Sequence, residues 1–213
     1  MPLLKFTDAE NAAINTVYQL LNNDFDDGIA SCPELHITLD GAGLKVIHMQ
    51  LHPPHGGPLS SNVAEVGNSS GFRIIHNHPS GASLSDSDWT VLANYTKCEM
   101  TAVNKEGTTF RGKVIDAPRM KSFLSQYNKI ITNVEIEQTK AIDSFAKHGH
   151  AYLVEQLVEN KWYVSAAIAQ YIHSKKIVEY ELNPAGKNAD FINSGHSNFI
   201  LDIIDSVCRK YNI

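Results

Sequence analysis

The sequence predicts an α/β module over residues 1–116 and a mainly helical extension over residues 117–213. Up to about residue 116, short runs of β-branched and apolar residues alternate with amphipathic helical patterns. After that point apolar residues recur mostly at helical spacing, and one alternating run, KIVEYEL at residues 176–182, has strand character. Apolar residues make up 43% of the 213 residues, which is ordinary for a globular protein with a sizeable core.

Each predicted element depends on a local pattern. Thr7 and Glu10 have the spacing of a capping box at the start of an amphipathic run. Turns at Gly41-Ala42-Gly43 and Lys105-Glu106-Gly107 each join two runs of strand character, as in hairpins. Ser85 can cap the helix that follows it. The predicted elements are a helix over 7–23, strands over 34–40, 44–51 and 72–75, a helix over 85–95, strands over 98–104 and 108–115, helices over 118–147, 150–159 and 162–173, a strand over 176–182, a loop over 183–195 and a helix from 197.

Composition and charge argue against several classes of protein. The net charge is −5, which argues against a broad nucleic-acid surface. The first residues, MPLLKFTDAENAA, lack the apolar core of a signal peptide, and no run approaches the ~20 apolar residues of a membrane span. We therefore expect a cytoplasmic protein with no membrane partner, or one exported by a specialised system that leaves no readable signal.

The three cysteines, Cys32, Cys98 and Cys208, are far apart and odd in number. They predict no disulfide framework, which fits a reducing compartment. No histidine pattern accompanies Cys32 or Cys98, so we do not expect a cysteine protease. A nucleoside deaminase would need a Pro-Cys-x-x-Cys motif, and the sequence lacks one.

The stretch RIIHNHPSGASLSDSDW, residues 73–89, brings together side chains that can bind a metal. His76 and His78 point to the same face of a strand because side chains alternate along it. Pro-Ser-Gly turns the chain, Ser85 opens a helix and Asp88 lies in its first turn. Two imidazoles and one carboxylate are three protein ligands, which leave a fourth tetrahedral position for water, as in catalytic zinc sites.

Each part of this pattern also has a structural interpretation. His-x-His occurs commonly in loops, and His76 alone could be a satisfied histidine at a strand end. Ser85-x-x-Asp88 is also an ordinary capping box. Asp86 could compete with Asp88 as a ligand, but the positive end of the helix explains Asp86 more simply. The conjunction of all parts in this order, between a strand and a helix, favours the metal site.

The segment HNHPSGASLSDSD resembles the JAMM motif, also called MPN+ or JAB, of zinc metallopeptidases. That motif is His-x-His-Pro, a short spacer and Ser-x-x-Asp, and Pro-Ser-Gly is most similar to the RadC-type and bacterial toxin-associated branch. The resemblance covers roughly residues 7–115. It implies a three-layer α-β-α sandwich similar to that of cytidine deaminases, with His76, His78 and Asp88 as zinc ligands and Ser85 as the hydrogen-bond donor to the transition state.

The family also places a glutamate general base at the start of an early strand. Glu34 fits this position because it opens the predicted strand ELHITLD directly after Pro33. Glu65, in the segment SSNVAEVG, is the rival candidate, although a solvated surface glutamate is expected there. Strand context and the family order favour Glu34. Asp40 is explained as a turn residue before a glycine.

Other histidines also invite a metal interpretation. His52 and His55 lie in the segment HPPHGGP, where a second metal is conceivable but solvated loop histidines are expected. His148 and His150 repeat the His-x-His pattern without a downstream Ser-x-x-Asp, so a helix junction explains them. The Gly- and Ser-rich segment 56–71 is equally compatible with a flap beside a groove and with an ordinary surface loop.

The resemblance implies hydrolysis of a peptide or isopeptide bond, since many family members remove ubiquitin or a ubiquitin-like tag from a lysine. The implied partner is a protein or peptide, with a ubiquitin-like tail as one candidate, laid along the sheet edge. The alternative is a RadC-like or toxin-system effector module in which binding of DNA or protein matters more than hydrolysis. The complete ligand set argues against an inactive enzyme. The extension could be a substrate-selecting lid, a dimer surface or an anchor.

Overall fold

The structure, a computed structural model, describes residues 3–22, 32–53, 57–211 and 213. Within these ranges the chain has a mixed α/β fold, with nine helices and six strands. The strands are β1 (Glu34–Asp40), β2 (Val46–His52), β3 (Phe72–Asn77), β4 (Glu99–Val103), β5 (Thr109–Val114) and β6 (Val178–Asn183). The helices are α1 (Asp8–Leu21), α2 (Ser61–Ser69), α3 (Asp86–Asn94), α4 (Ala117–Leu124), α5 (Tyr127–Lys147), α6 (Ala151–Glu159), α7 (Tyr163–Ser174), α8 (Gly186–Asn193) and α9 (Ser197–Arg209).

The six strands form one open mixed sheet in the order β2-β1-β3-β4-β5-β6. Strands β3 and β4 run parallel, and every other neighbouring pair in this described sheet is antiparallel. Parallel neighbours need a crossover connection, and the segment that carries α3 supplies it. In the β1–β3 register His36 lies opposite His76, so the start of β1 lies beside the end of β3.

The sheet has a hydrophobic cluster on each face. Ile75 and Val103 pack in a smaller cluster with residues of α1, whereas Ile74 and Ala102 belong to the larger cluster with α3 and the later helices. Because side chains alternate along a strand, these neighbours point to opposite faces. Helix α1 therefore covers one face of the sheet, and the helices of the larger cluster cover the opposite face. This arrangement is compatible with an α-β-α sandwich.

Residues beyond 116 share this sheet and this core. Strand β6 pairs with β5 from Thr109↔Asn183 to Val114↔Val178. Val178 and Tyr180 are buried in the larger cluster, together with Trp89 of α3 and side chains of α7 and α9. The strand predicted over 176–182 is confirmed, and the structure adds that it extends the sheet of the preceding residues.

Two secondary-structure predictions need correction. Residues 183–195, predicted as a loop, contain the helix α8. Its sequence GKNADFIN has little apolar periodicity, and tertiary contacts stabilise it instead: Phe191 is buried, and Asn188 Nδ2 donates to Thr108 Oγ1 at 3.0 Å. The single helical region predicted over 118–147 is two helices, α4 and α5, separated at Ser125 and Gln126. The two predicted hairpins and the Thr7–Glu10 capping box are confirmed.

None of the helices in the described ranges combines the length and the apolar character that crossing a bilayer requires.

Candidate metal centre

Strand β3 presents two histidines at its end. All six of its residues are buried, so the strand lies in the packed interior of the protein. His76 is fully buried and His78 follows the strand directly, where its backbone N–H donates to Val103 O at 2.7 Å and prolongs the parallel ladder. The two Nε2 atoms lie 3.0 Å apart. The alternation of the strand thus brings both imidazoles to one face, as the sequence predicts.

Asp88 reaches the same point from the first turn of α3. Ser85 is the N-cap of this helix: its Oγ accepts from Asp88 N at 3.1 Å, and its backbone N donates to Asp88 Oδ2 at 2.7 Å. Asp88 Oδ2 lies 3.4 Å from His78 Nε2, and Oδ1 lies 3.6 Å from His76 Nε2. Ser85 and Asp88 therefore form the predicted capping box, and this box orients the Asp88 carboxylate toward the two histidines.

The three side chains could together hold a metal ion. Ligand atoms at about 2.0–2.1 Å from a tetrahedral zinc ion lie about 3.3 Å from one another. The two Nε2 atoms are 3.0 Å apart, and the distances of 3.4 and 3.6 Å run from them to different oxygens of Asp88. One ligand atom from each residue lies within 4.8 Å of the other two, and among the described residues these three form the cluster that could hold a metal. His78 Nδ1 donates to Ala82 O at 3.0 Å, which leaves Nε2 free as a ligand. In the described part of the chain the buried His76 Nδ1 has no hydrogen-bond partner.

Burial and the mutual contacts shift the pKa of all three side chains. Burial would raise the pKa of Asp88, but the two histidines together hold it well below its ordinary value. Burial lowers the pKa of His76, and Asp88 offsets this in part. Burial acts in the same direction on His78, but hydrogen bonding to Asp88 and the charge of Asp88 outweigh it, so the pKa of His78 is raised. The ionised Asp88 and the neutral form favoured at His76 suit a divalent metal, whereas His78 has to release its Nε2 proton when a metal binds.

A cleft of about 520 Å³ opens over the cluster. Glu34, His78, Ser85 and Asp88 all line it. Glu34 reaches this face because it opens β1, and its side chain remains about 14% exposed. The rival Glu65 is an exposed residue of α2 and does not line the cleft.

The other acidic candidates have structural roles or lie at the surface. Asp86 is exposed in the first turn of α3. Asp40 Oδ1 accepts from Leu44 N at 2.8 Å, which is the turn role expected from the sequence.

Asn77, which the sequence analysis passed over, positions Glu34. It lies between the two histidines and points to the opposite face, where it is fully buried. Its Oδ1 accepts from Leu35 N at 2.7 Å and its Nδ2 donates to Pro33 O at 2.9 Å. These bonds fasten both neighbours of Glu34 to the end of β3. A polar residue in the middle of a His-x-His segment that follows a buried strand is the signal that could have identified it.

Two further histidines lie near the site: His36 lines the cleft, and His52 packs against His36. The loop prediction for His52 is wrong. His52 is 6% exposed, and not a solvated loop residue, because β2 extends as far as His52. The ring of His36 lies 4.5 Å from that of His52 and 4.9 Å from that of His76, centroid to centroid. A Cβ on Gly57 would lie 2.2 Å from His52 Nδ1, so the chain passes His52 closely there. His55 lies outside the described residues.

The remaining candidates lie elsewhere. His148 and His150 are exposed at the junction of α5 and α6, as the helix-junction interpretation predicts. The three cysteines are free and buried. Burial raises the pKa of Cys98 to about 11 and that of Cys208 to about 12, so neither thiol is an activated nucleophile.

No protein-family model, no curated protein and no solved structure was found to match this chain.

Proposed function

We propose that the protein is a zinc metallopeptidase of the JAMM type that hydrolyses a peptide or isopeptide bond. In this proposal residues 1–116 form the JAB/MPN-type three-layer module, and residues 117–213 extend it. The observation that carries the proposal is the set of 3.0–3.6 Å separations among His76, His78 and Asp88, with Glu34 on the wall of the same cleft.

The residues of the cleft divide the chemistry among them. Zinc held by His76, His78 and Asp88 would polarise the scissile carbonyl and lower the pKa of its water toward ~7. Glu34 takes the proton of the attacking water on its carboxylate and passes it to the leaving amine as the C–N bond breaks. Ser85 Oγ, which lies 2.8 Å from Asp88 Oδ2, turns to donate to the oxyanion that develops on the carbonyl.

In this proposal the cleft takes an extended tail of the substrate. Gly57, Pro58 and Leu59 line the cleft together with Val91 and the motif residues. The substrate we propose is a tail of small residues, such as the Gly-Gly end of a ubiquitin-like protein.

The test combines metal content with hydrolysis. The purified protein should bind about one zinc and should cleave members of a set of linear and lysine-branched peptides, read by mass spectrometry. A chelator should abolish cleavage and added zinc should restore it. Absence of zinc from the protein, or zinc binding without any cleavage, would contradict the proposal.

Glu34→Gln is the variant that separates the base from the ligands. It should lower kcat by about 10²–10⁴-fold and leave the zinc content unchanged, because Glu34 is not a ligand. Glu65→Gln is the matched control and should keep full activity. If the Glu34→Gln protein is fully active, the general base is a residue other than Glu34.

A further inference from the structure

A second cleft, of about 780 Å³, lies beside the metal cleft. On one side it is lined by the motif turn, Pro79–Gly81, and on the other by residues of α6, α8 and the chain that follows α6. Ser80 lines both clefts, so a chain that leaves the metal cleft over Ser80 enters the second one directly. We call this second cleft the charged cleft, because six charged side chains line it.

Hydrogen bonds fix the motif turn and the residues that follow it. Ser83 N donates to Ser165 Oγ at 3.0 Å, and Ser83 Oγ lies 2.8 Å from the buried Tyr180 hydroxyl. Asn104 Nδ2 donates to Gly81 O at 3.1 Å. The motif turn is thus tied to the end of β4, and Ser83, two residues after the turn, is tied to α7 and β6. The charged cleft is a fixed part of the fold around the zinc ligands.

Six charged side chains distinguish this cleft. Each of three separate wall segments contributes one cation and one anion, and all six are exposed. They are Lys105 and Glu106, Glu159 and Lys161, and Lys187 and Asp190. Among the described residues none of the six has an ion-pair partner within 4.0 Å, whereas the ion pairs of the described chain lie elsewhere.

This charge pattern narrows the class of ligand. Three carboxylates disfavour a phosphate-rich ligand such as a nucleic acid, and three ammonium groups disfavour a simple cation. A polypeptide with both acidic and basic side chains can pair with both signs at once. Charges inside a cleft also act more strongly than the same charges on a convex surface.

Resting on the proposed function, we propose that the charged cleft binds the segment of the substrate polypeptide adjacent to the scissile bond and selects segments that carry both acidic and basic residues. The extension therefore determines specificity, whereas the metal cleft performs the hydrolysis. Lys161 and Lys187 pair with acidic substrate residues, and Glu159 and Asp190 pair with basic ones.

The test is a cleavage profile of the zinc-loaded full chain against a proteome-derived library of linear and lysine-branched peptides. The variant Lys161→Glu/Lys187→Glu should lose peptides with acidic residues, with about a tenfold rise in KM and unchanged kcat. Glu159→Lys/Asp190→Lys should lose peptides with basic residues to the same degree. Lys147→Glu, at an exposed position on α5 away from the cleft, should keep the wild-type profile.

The outcomes separate this inference from the proposed function. If the wild-type protein cleaves library peptides and both double variants keep its profile and KM, the charged cleft is not the specificity site, and the proposed hydrolysis stands. If the zinc-loaded wild-type protein cleaves nothing, the proposed function fails and the inference fails with it. Opposite shifts in the two double variants, at unchanged zinc content, support the inference.

Discussion

Asn77 shows how one side chain can connect the cleft wall that carries Glu34 to the segment that carries His76 and His78. It is fully buried and bonds the backbone on both sides of Glu34, so its amide sets where β1 begins relative to β3. Asn77→Ala leaves Leu35 N and Pro33 O without these partners. We expect a loss of about 2 kcal/mol in the free energy of unfolding, measured by chemical denaturation. Asn128→Ala, at an exposed position on α5, should cost nothing, and equal stability of the two variants would contradict this role.

The buried cysteines should react slowly with alkylating agents. Burial raises the pKa of Cys98 to about 11 and of Cys208 to about 12, so at pH 8 only about one Cys98 thiol in a thousand is ionised. The thiolate is the reactive form, so alkylation should be slow in the folded protein and should accelerate only as the pH approaches 11. The peptide hydrolysis proposed above should therefore survive treatment with iodoacetamide at pH 8. Rapid labelling of the folded chain, counted by mass spectrometry, would contradict the buried thiols.

At the scale of the element, the packing of α3 on β5 determines where Asp88 lies. A Cβ on Gly112 would lie 2.4 Å from Trp89 Cη2 and 2.6 Å from Leu84 Cδ1. Both side chains are fully buried, so α3 must shift to admit the methyl group. Gly112→Ala should cost about 1–3 kcal/mol in unfolding free energy and weaken zinc binding, because Asp88 moves with its helix.

Gly149→Ala is the control for this substitution. Nothing lies within 4 Å of its added Cβ, but its φ of 76° is left-handed. It should cost about 1–2 kcal/mol of backbone strain and leave zinc affinity unchanged. Thermal melts and competitive zinc titrations measure both quantities. Zinc affinity that is unchanged in Gly112→Ala would show that α3 is not held in place by this contact.

The elements also show what a sequence can predict and what it cannot. Period-two runs and turn glycines located the hairpins, and the strand–turn–helix order located His76, His78 and Asp88, because those signals are local. The β1–β3 register is not local, so the neighbourhood of His36 and the role of Asn77 followed only from the structure. Helix α8 was missed because tertiary contacts, rather than periodicity, stabilise it.

At the scale of the whole molecule, residues 117–213 complete the fold that carries the site. Strand β6 occupies the edge of the sheet, and α7 and α9 pack in the same core cluster as α3 and β3. The Ser83–Tyr180 hydrogen bond joins the motif segment to β6. Shared burial of this kind couples the unfolding of both regions, since neither can expose its core face without the other.

This coupling predicts one cooperative unfolding transition. The chain has two tryptophans, and Trp162→Phe leaves Trp89, which is buried in α3, as the fluorescent reporter of the motif region. Far-UV circular dichroism reports mainly on helices, and most helical residues of the described chain lie beyond residue 116. Because Tyr180 lies 6.3 Å from Trp89, ring centroid to centroid, the two regions meet at the reporter itself. In urea the fluorescence and dichroism midpoints of the zinc-free Trp162→Phe protein should coincide. A fluorescence midpoint at higher urea than the dichroism midpoint would contradict this coupling, because it would mean that the extension unfolds first and that the motif region stays folded without it.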